Sequence, residues 1–189
     1  MNVTRRTFVE RALKSSVLAL TFSVGGVSVV LTPQEARAQG VPLRNLTPQQ
    51  VAILEALGEA ILPGSPPLGL AQFVDHQLGV EPDECLLLAK YFQIAPPYKN
   101  FYDAGLAIAD QVCRQRFAKS VTELSAEEAQ AFIGGIAQIP GVVDGFPLGL
   151  FYMFVRSDAV DVMYGTPEGF QKLNVPYMEH ILPPEGWNG

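Results

Sequence analysis

Apolar residues recur at helical spacing in the stretch that follows residue 46. Positions three or four apart are occupied by Val51, Leu54, Leu57 and Ile61. This spacing places the four side chains on one face of a helix. Thr47 and Gln50 form a capping-box pattern around Pro48, which favours a helix start there. The Pro- and Gly-rich run 63–67 ends the helix.

Further segments carry the same periodicity. They are a short helix at 72–78, a third helix from Asp83 to before Pro96, a fourth from Asn100 to Lys119, a fifth that begins at Ser125, and an apolar run from Asp144 to Val162. From Tyr164 onward, Gly and Pro punctuate the chain, with one short helix capped by Thr166. Sustained alternation of the kind that a half-buried strand needs is not seen. The sequence predicts a single compact all-α domain of about six helices with a long irregular C-terminal tail.

The first 38 residues follow a different pattern. Arginines at positions 5, 6 and 11 precede an apolar run from Val17 to Leu31, and Ala36-Arg37-Ala38 follows. This order of basic, apolar and small residues is typical of a secretory signal cleaved after Ala38. The apolar run of about 15 residues is shorter than the roughly 20 of a membrane-spanning helix. An uncleaved anchor is the alternative.

The start of this leader also resembles the twin-arginine export motif. Thr4, Arg5, Arg6 and Phe8 match the pattern Ser/Thr-Arg-Arg-x-Phe, while Glu10 departs from the Lys often found there. A general secretory signal with an incidental Arg pair is the alternative. The twin-arginine route moves folded proteins. We therefore expect a twin-arginine signal at 1–38, a helical domain at 39–189 with its tail from about residue 164, and a periplasmic location.

Charge argues against nucleic acid as a partner. The chain has 13 basic and 19 acidic residues, a net charge of −6, and 48% of its residues are hydrophobic. Without residues 1–38 it keeps 8 basic and 17 acidic residues, a net charge of −9. An acidic domain of this kind is a poor match for a phosphate backbone or an anionic membrane surface.

The sequence lacks the common motifs for cofactors. It contains no Cys-x-x-Cys, Cys-x-x-Cys-His or His-x-x-x-His pattern, which makes zinc, iron–sulfur and covalently bound haem poor candidates. Gly-x-Gly-x-x-Gly and Walker-type loops are absent as well. We expect no metal and no cofactor to be bound by this chain alone.

Two histidines are the main candidates for chemistry. His76 follows Asp75 in a predicted helix, where adjacent side chains do not face each other, so Asp75 does not orient it. His180 lies near the tail, where contact with a partner is as plausible as proton transfer. The serines form no Gly-x-Ser-x-Gly elbow. No catalytic residue is predicted, and a stand-alone enzyme using His76 or His180, or a helical binding module, is the alternative.

Two further features suggest contacts rather than chemistry. Cys85 and Cys113 could form a disulfide in an exported protein, or could be small core residues on their apolar stripes. The tail is rich in residue types enriched at interfaces, and it either wraps over its own helices or contacts a partner. The candidate interface residues are Tyr164, Phe170, Tyr177, Met178, His180 and Trp187.

Several of these segments together resemble the gluconate 2-dehydrogenase subunit 3 family. The resemblance rests on the twin-arginine leader, Leu46-Thr47-Pro48, Leu54 to Leu57, Ala60 to Pro63, Phe73 to Leu78, and the aromatic helix from Phe151 to Tyr164-Gly165. Members often continue this last motif with Gly-Asn, whereas this chain has Thr166-Pro167. The Gly186-Trp187 pair stands in a different setting from the family's usual ending.

The resemblance implies a small, non-catalytic subunit of a periplasmic dehydrogenase complex. The large partner would be an FAD-containing subunit of the glucose-methanol-choline oxidoreductase type, often joined by a multihaem cytochrome c subunit. FAD and haem c would therefore reside in partner subunits. The small subunit would carry the folded flavoprotein to the twin-arginine translocase.

Overall fold

A computed structural model describes residues 18–174 of the chain. Its α-helices are α1 (Pro33–Ala38), α2 (Pro48–Ile61), α3 (Leu70–Gln77), α4 (Tyr98–Phe117), α5 (Ala126–Ile136), α6 (Leu148–Tyr164) and α7 (Pro167–Lys172). Short 3₁₀ turns lie at Pro66–Leu68, Leu88–Tyr91 and Val121–Glu123. An antiparallel hairpin of β1 (Leu20–Val24) and β2 (Val27–Leu31) precedes them. The described part is mostly helical, which confirms the predicted all-α class.

Helix α2 lies at the centre of the domain and packs against α3, α4, α5 and α6. Its side chains Leu54 and Leu57 are buried among the apolar residues of these neighbours. Helices α4 and α6 come especially close at Gly105, where a Cβ atom would overlap the Phe151 ring. Because the glycine removes that obstacle, the aromatic residues of the two helices pack directly on each other.

The helix starts follow the predicted local chemistry. Thr47 Oγ1 accepts the backbone N–H of Gln50 at 3.3 Å, and Gln50 Oε1 accepts that of Thr47 at 2.8 Å. Ser125 and Glu128 make the same reciprocal pair at the start of α5. Each capping box satisfies two donors that a helix N-terminus would otherwise leave without a partner.

The prediction of a third α-helix from Asp83 to before Pro96 is wrong. The segment after Asp83 forms turns and only the short 3₁₀ turn Leu88–Tyr91. The backbone N–H of Leu86 donates to Gln77 Oε1 at 2.7 Å instead of to a carbonyl of its own segment. Gln93 adopts a positive φ of 57°. Contacts with the end of α3 therefore replace the hydrogen bonds that a continuous helix would make.

Helix α6 begins at Leu148, four residues later than the apolar run that starts at Asp144. Asp144 and Gly145 have positive φ angles of 49° and 78°. Their turn is closed by paired backbone hydrogen bonds between Val143 and Phe146. Because left-handed residues cannot continue a right-handed helix, α6 starts after this turn.

The hairpin corrects the expectation that the chain contains no strand. Leu20 and Phe22 are buried and alternate with exposed neighbours, which is the period of a half-buried strand. Gly25 and Gly26 connect the strands with φ angles of 58° and 80°, values that suit a two-residue hairpin turn. None of the helices described over residues 18–174 is long and apolar enough to cross a membrane.

Candidate functional site

The segment predicted as the end of the leader is folded onto the helical body. Buried side chains on it belong to the same hydrophobic core as the helices: Leu18, Leu20, Phe22, Leu31 and Ala36. Helix α1 packs against α3 and against the 3₁₀ turn Pro66–Leu68. We call the contact between residues 18–41 and the helical body the leader seam.

His76 faces the leader seam from α3. Its Nε2 donates to the carbonyl oxygen of Thr21 at 3.0 Å, and its Nδ1 accepts from Gln77 Nε2 at 3.3 Å. The imidazole also contacts the Phe22 ring edge-on, with centroids 4.9 Å apart. One neutral tautomer satisfies both hydrogen bonds. The histidine singled out from the sequence therefore holds β1 in place.

Asp75 holds the chain just before α2. Its carboxylate accepts the backbone N–H groups of Arg44, Asn45 and Leu46 at 2.7–3.0 Å, and the side chain is 5% exposed. Asn45 Nδ2 returns a hydrogen bond to the Asp75 carbonyl at 2.7 Å. Because both carboxylate oxygens are occupied by backbone donors, Asp75 does not act on His76. Asp75 and His76 therefore bind two different segments, residues 44–46 and Thr21.

A cavity of about 330 Å³ lies in the leader seam. Residues 21–23 of the leader line one side, residues 41–45 line another, and Gln72 and His76 of α3 line the floor. Gln72 is 8% exposed and its Oε1 has no hydrogen-bond partner. The leader therefore covers α3 without filling the space above it.

A second polar pair, Tyr102 and Asp158, lies in the core, away in sequence from Asp75 and His76. Tyr102 Oη on α4 donates to Asp158 Oδ2 on α6 at 2.6 Å, and both residues are fully buried. Burial raises the pKa of Asp158 to about 8, although the hydrogen bond from Tyr102 acts in the opposite direction. The sequence reasoning missed this pair. The sequence feature that could have indicated it is the acidic Asp158 within the apolar run of α6, four residues after Phe154.

The two cysteines are free thiols in the structure, so the disulfide left open by the sequence is not formed. Cys85 is buried, and its Sγ donates to the Gln77 carbonyl at 3.5 Å. Cys113 is buried in α4, where burial and the nearby carboxylate of Asp110 raise its pKa to about 11. Both behave as small core residues.

Asp110 is a third carboxylate with a structural role. It accepts hydrogen bonds from Ser120 Oγ at 2.5 Å, from the Val121 backbone N–H at 2.9 Å, and from Arg114 Nε at 2.9 Å. Burial acts to raise its pKa, but these three donors outweigh burial and lower it. Asp110 thereby joins the end of α4 to the turn that leads into α5.

The profile of the gluconate 2-dehydrogenase subunit 3 family matches residues 48–183. The chain belongs to that family. The resemblance seen in the sequence is thereby confirmed, and membership makes this subunit 3 protein an accessory subunit of a dehydrogenase that works with other subunits. No curated protein and no solved structure matches the chain.

The family match begins at the first residue of α2. It includes Asp75, His76, Tyr102 and Asp158, and it leaves the leader segment 18–41 outside. The leader seam of this subunit 3 protein is therefore a contact between the family domain and a segment that precedes it.

Several predicted residues of the subunit 3 protein lie outside the described part of the structure. These are Thr4, Arg5, Arg6, Phe8, Tyr177, Met178, His180 and Trp187, and the Phe170 side chain is also not described. Ala36 and Ala38 lie in α1, where Ala36 is fully buried and Ala38 is exposed. Tyr164 is half-buried at the end of α6. The tail as a partner interface remains a prediction.

Within residues 18–174, no group of three or more His, Cys, Asp or Glu side chains is arranged to hold a metal ion.

Proposed function

We propose that this protein is the non-catalytic small subunit of a periplasmic FAD-dependent alcohol or sugar dehydrogenase. It escorts the folded flavoprotein subunit through the twin-arginine export route and stabilises it. The observation that carries this proposal is the family match over residues 48–183, together with the Arg5-Arg6 leader that precedes it.

The use of polar groups in the body supports a non-catalytic role. Asp75 and Asp110 accept backbone hydrogen bonds, and the ring nitrogens of His76 are both engaged. The Tyr102–Asp158 pair is fully buried within the core. Each of these groups therefore stabilises a contact between segments of the chain.

The proposed partners divide the chemistry among separate chains. The large subunit carries FAD and oxidises the substrate, and a multihaem cytochrome c subunit with haem c accepts electrons where the complex includes one. This chain supplies the export signal and a surface for the large subunit. The twin-arginine translocase recognises the signal.

The escort role is tested by co-expression with the large subunit. Changing Arg5→Lys and Arg6→Lys together should leave the dehydrogenase activity in the cytoplasm, because both subunits depend on one signal. Arg11→Lys is the matched control, since it alters a leader arginine outside the pair. Normal periplasmic activity with the double variant would overturn the escort role.

The subunit role is tested by native pull-down of the tagged protein from its source cells. A larger protein in about equal amount, with flavin absorbance in the eluate, supports the proposal. A colourless monomer contradicts it and favours the alternative of a stand-alone module.

A further inference from the structure

Besides its buried apolar side chains, the leader makes three further contacts with the body. Thr21 and Phe22 of β1 contact His76 on α3. The Arg37 guanidinium of α1 pairs with the Glu55 carboxylate of α2. These anchors hold both ends of the leader segment, the apolar run and the predicted processing site.

The third contact is a close backbone approach at Gly69. This residue has a φ of 92°, and a Cβ atom there would overlap the carbonyl of Pro33. Glycine is suited to such a position because it has no Cβ and accepts positive φ. The first turn of α1 therefore lies directly on the backbone that begins α3.

Docking buries Ala36, one of the two small residues at the predicted processing site. Ala36 is fully buried, and α1 is fixed at its start by a capping box between Thr32 and Glu35. A protease needs local unfolding to reach a bond within a docked helix. Ala38 is exposed, but recognition of Ala36 before cleavage requires this part of α1 to leave the core.

The contact between the leader and the body nevertheless leaves space unfilled beside α3. A cavity of about 330 Å³ lies between residues 21–23, residues 41–45 and α3, and Gln72 Oε1 beside it has no hydrogen bond to another residue. A two-stranded hairpin is marginal by itself in water. A segment at the edge of a domain opens locally at a lower free energy than the whole domain unfolds.

We propose that the face of α3 and the turn before it is a docking surface for residues 18–41 of the same chain, and that the docked segment acts as a releasable latch. When docked, the latch holds the apolar run and the processing site against the body. Undocking exposes both to the translocase and the signal peptidase. This inference rests on the proposed export role of the leader.

The latch is tested on the purified full-length protein by trypsin cleavage after Arg37. His76→Ala and Glu55→Gln remove anchors on the body and leave the leader sequence unchanged. Each should accelerate this cleavage by about two- to tenfold, the range expected for losing one such contact. Glu127→Gln, an exposed carboxylate of α5, is the control and should leave the rate unchanged.

The His76→Ala result is decisive because His76 does not contact Arg37. Hydrogen–deuterium exchange of the β1 and β2 amides should increase in the same variant, while exchange of α4 and α6 stays constant. Equal cleavage rates in His76→Ala and Glu127→Gln would overturn the latch. So would wild-type cleavage after Arg37 as fast as in a synthetic peptide of residues 30–45.

A second readout addresses processing in cells. The exported protein should begin after Ala38 once the latch has opened, as shown by N-terminal sequencing. An exported protein that retains residues 18–38 would overturn the latch, because the segment would then be a permanent part of the domain. Neither result depends on export of the dehydrogenase, so a failed latch leaves the escort role standing.

Discussion

The core of the domain and the leader seam each contain a buried oxygen without a hydrogen-bond partner, but their surroundings differ. In the core, Asp158 lies one turn after Phe154 on α6, and the Phe154 and Phe101 rings pack with centroids 5.3 Å apart. In the seam, Gln72 Oε1 lies beside a cavity. The carboxyl group can take up a proton to avoid a buried charge, whereas the amide has no such response. The two oxygens therefore differ in their surroundings, which are packed rings in the core and an open cavity in the seam.

The largest effect should come from breaking the core. Phe154→Ala removes a fully buried ring from α6, which should lower the free energy of unfolding by about 3–5 kcal/mol. Chemical denaturation followed by circular dichroism measures this loss. Under native conditions, cleavage after Arg37 should hardly change, because the seam opens locally. A rise in this cleavage in step with global instability would mean that seam and core are one cooperative unit.

The next effect concerns the pH dependence of the core. Asp158 has a pKa of about 8 in the folded state, against about 3.9 in an unfolded chain. Between these values the folded protein holds a proton that the unfolded chain has released. Stability is therefore greatest below the unfolded pKa and falls as pH rises, by up to about 1.4 kcal/mol per pH unit, until about pH 8.

Asp158→Asn should flatten this dependence between pH 6 and 8, as measured by denaturant titrations at each pH. Burial raises the pKa of Asp161 to about 6, so Asp161→Asn is the control and should flatten the curve only below that pH. Asp110 and Glu128 have lowered pKa values, and they act in the opposite sense at acidic pH. A wild-type stability that is constant from pH 6 to 8 would contradict the assignment.

The smallest effect should come from improving the seam. Gln72→Met replaces the unpartnered amide by a flexible apolar side chain beside the cavity, and should strengthen docking by about 1 kcal/mol. Cleavage after Arg37 should slow accordingly. Gln130→Met on α5, whose amide already donates to the Ala60 carbonyl, should leave this cleavage unchanged. A faster cut in Gln72→Met would show that the amide supports docking.

Local chemistry made much of the fold predictable. The starts of α2, α5 and α7 follow from Thr47, Ser125 and Thr166, whose hydroxyls accept backbone donors a few residues away. The predicted third helix failed because its competitor, Gln77, lies in the preceding helix. A contact set by tertiary packing outweighed an apolar periodicity within the segment.

The leader illustrates a second limit of sequence reasoning. Its apolar run suits an export signal, while alternating Leu20 and Phe22 before Gly25-Gly26 also suit a hairpin. Composition favours the first pattern, and only a partner surface brings out the second. Under the latch proposal, the segment forms the hairpin while it is docked and serves as the export signal after it is released.

The candidate site was predictable only in part. His76 could be singled out as a rare titratable residue, but its contact with Thr21 joins positions 55 residues apart. Tyr102 and Asp158 are separated by 56 residues. Such pairings depend on how the helices pack against each other. Local sequence patterns do not show which distant residues will meet.

The hydrogen bonds from the backbone of residues 44–46 to the Asp75 carboxylate have a practical consequence for fusion proteins. By holding Arg44, Asn45 and Leu46, it fixes the direction in which anything upstream leaves the domain, beside the cavity on α3. An affinity tag fused ahead of residue 41 in place of the leader would therefore begin over that face and compete with whatever binds there. An insertion beside Val142, which is 62% exposed in the turn before α6, would keep the tag away from it.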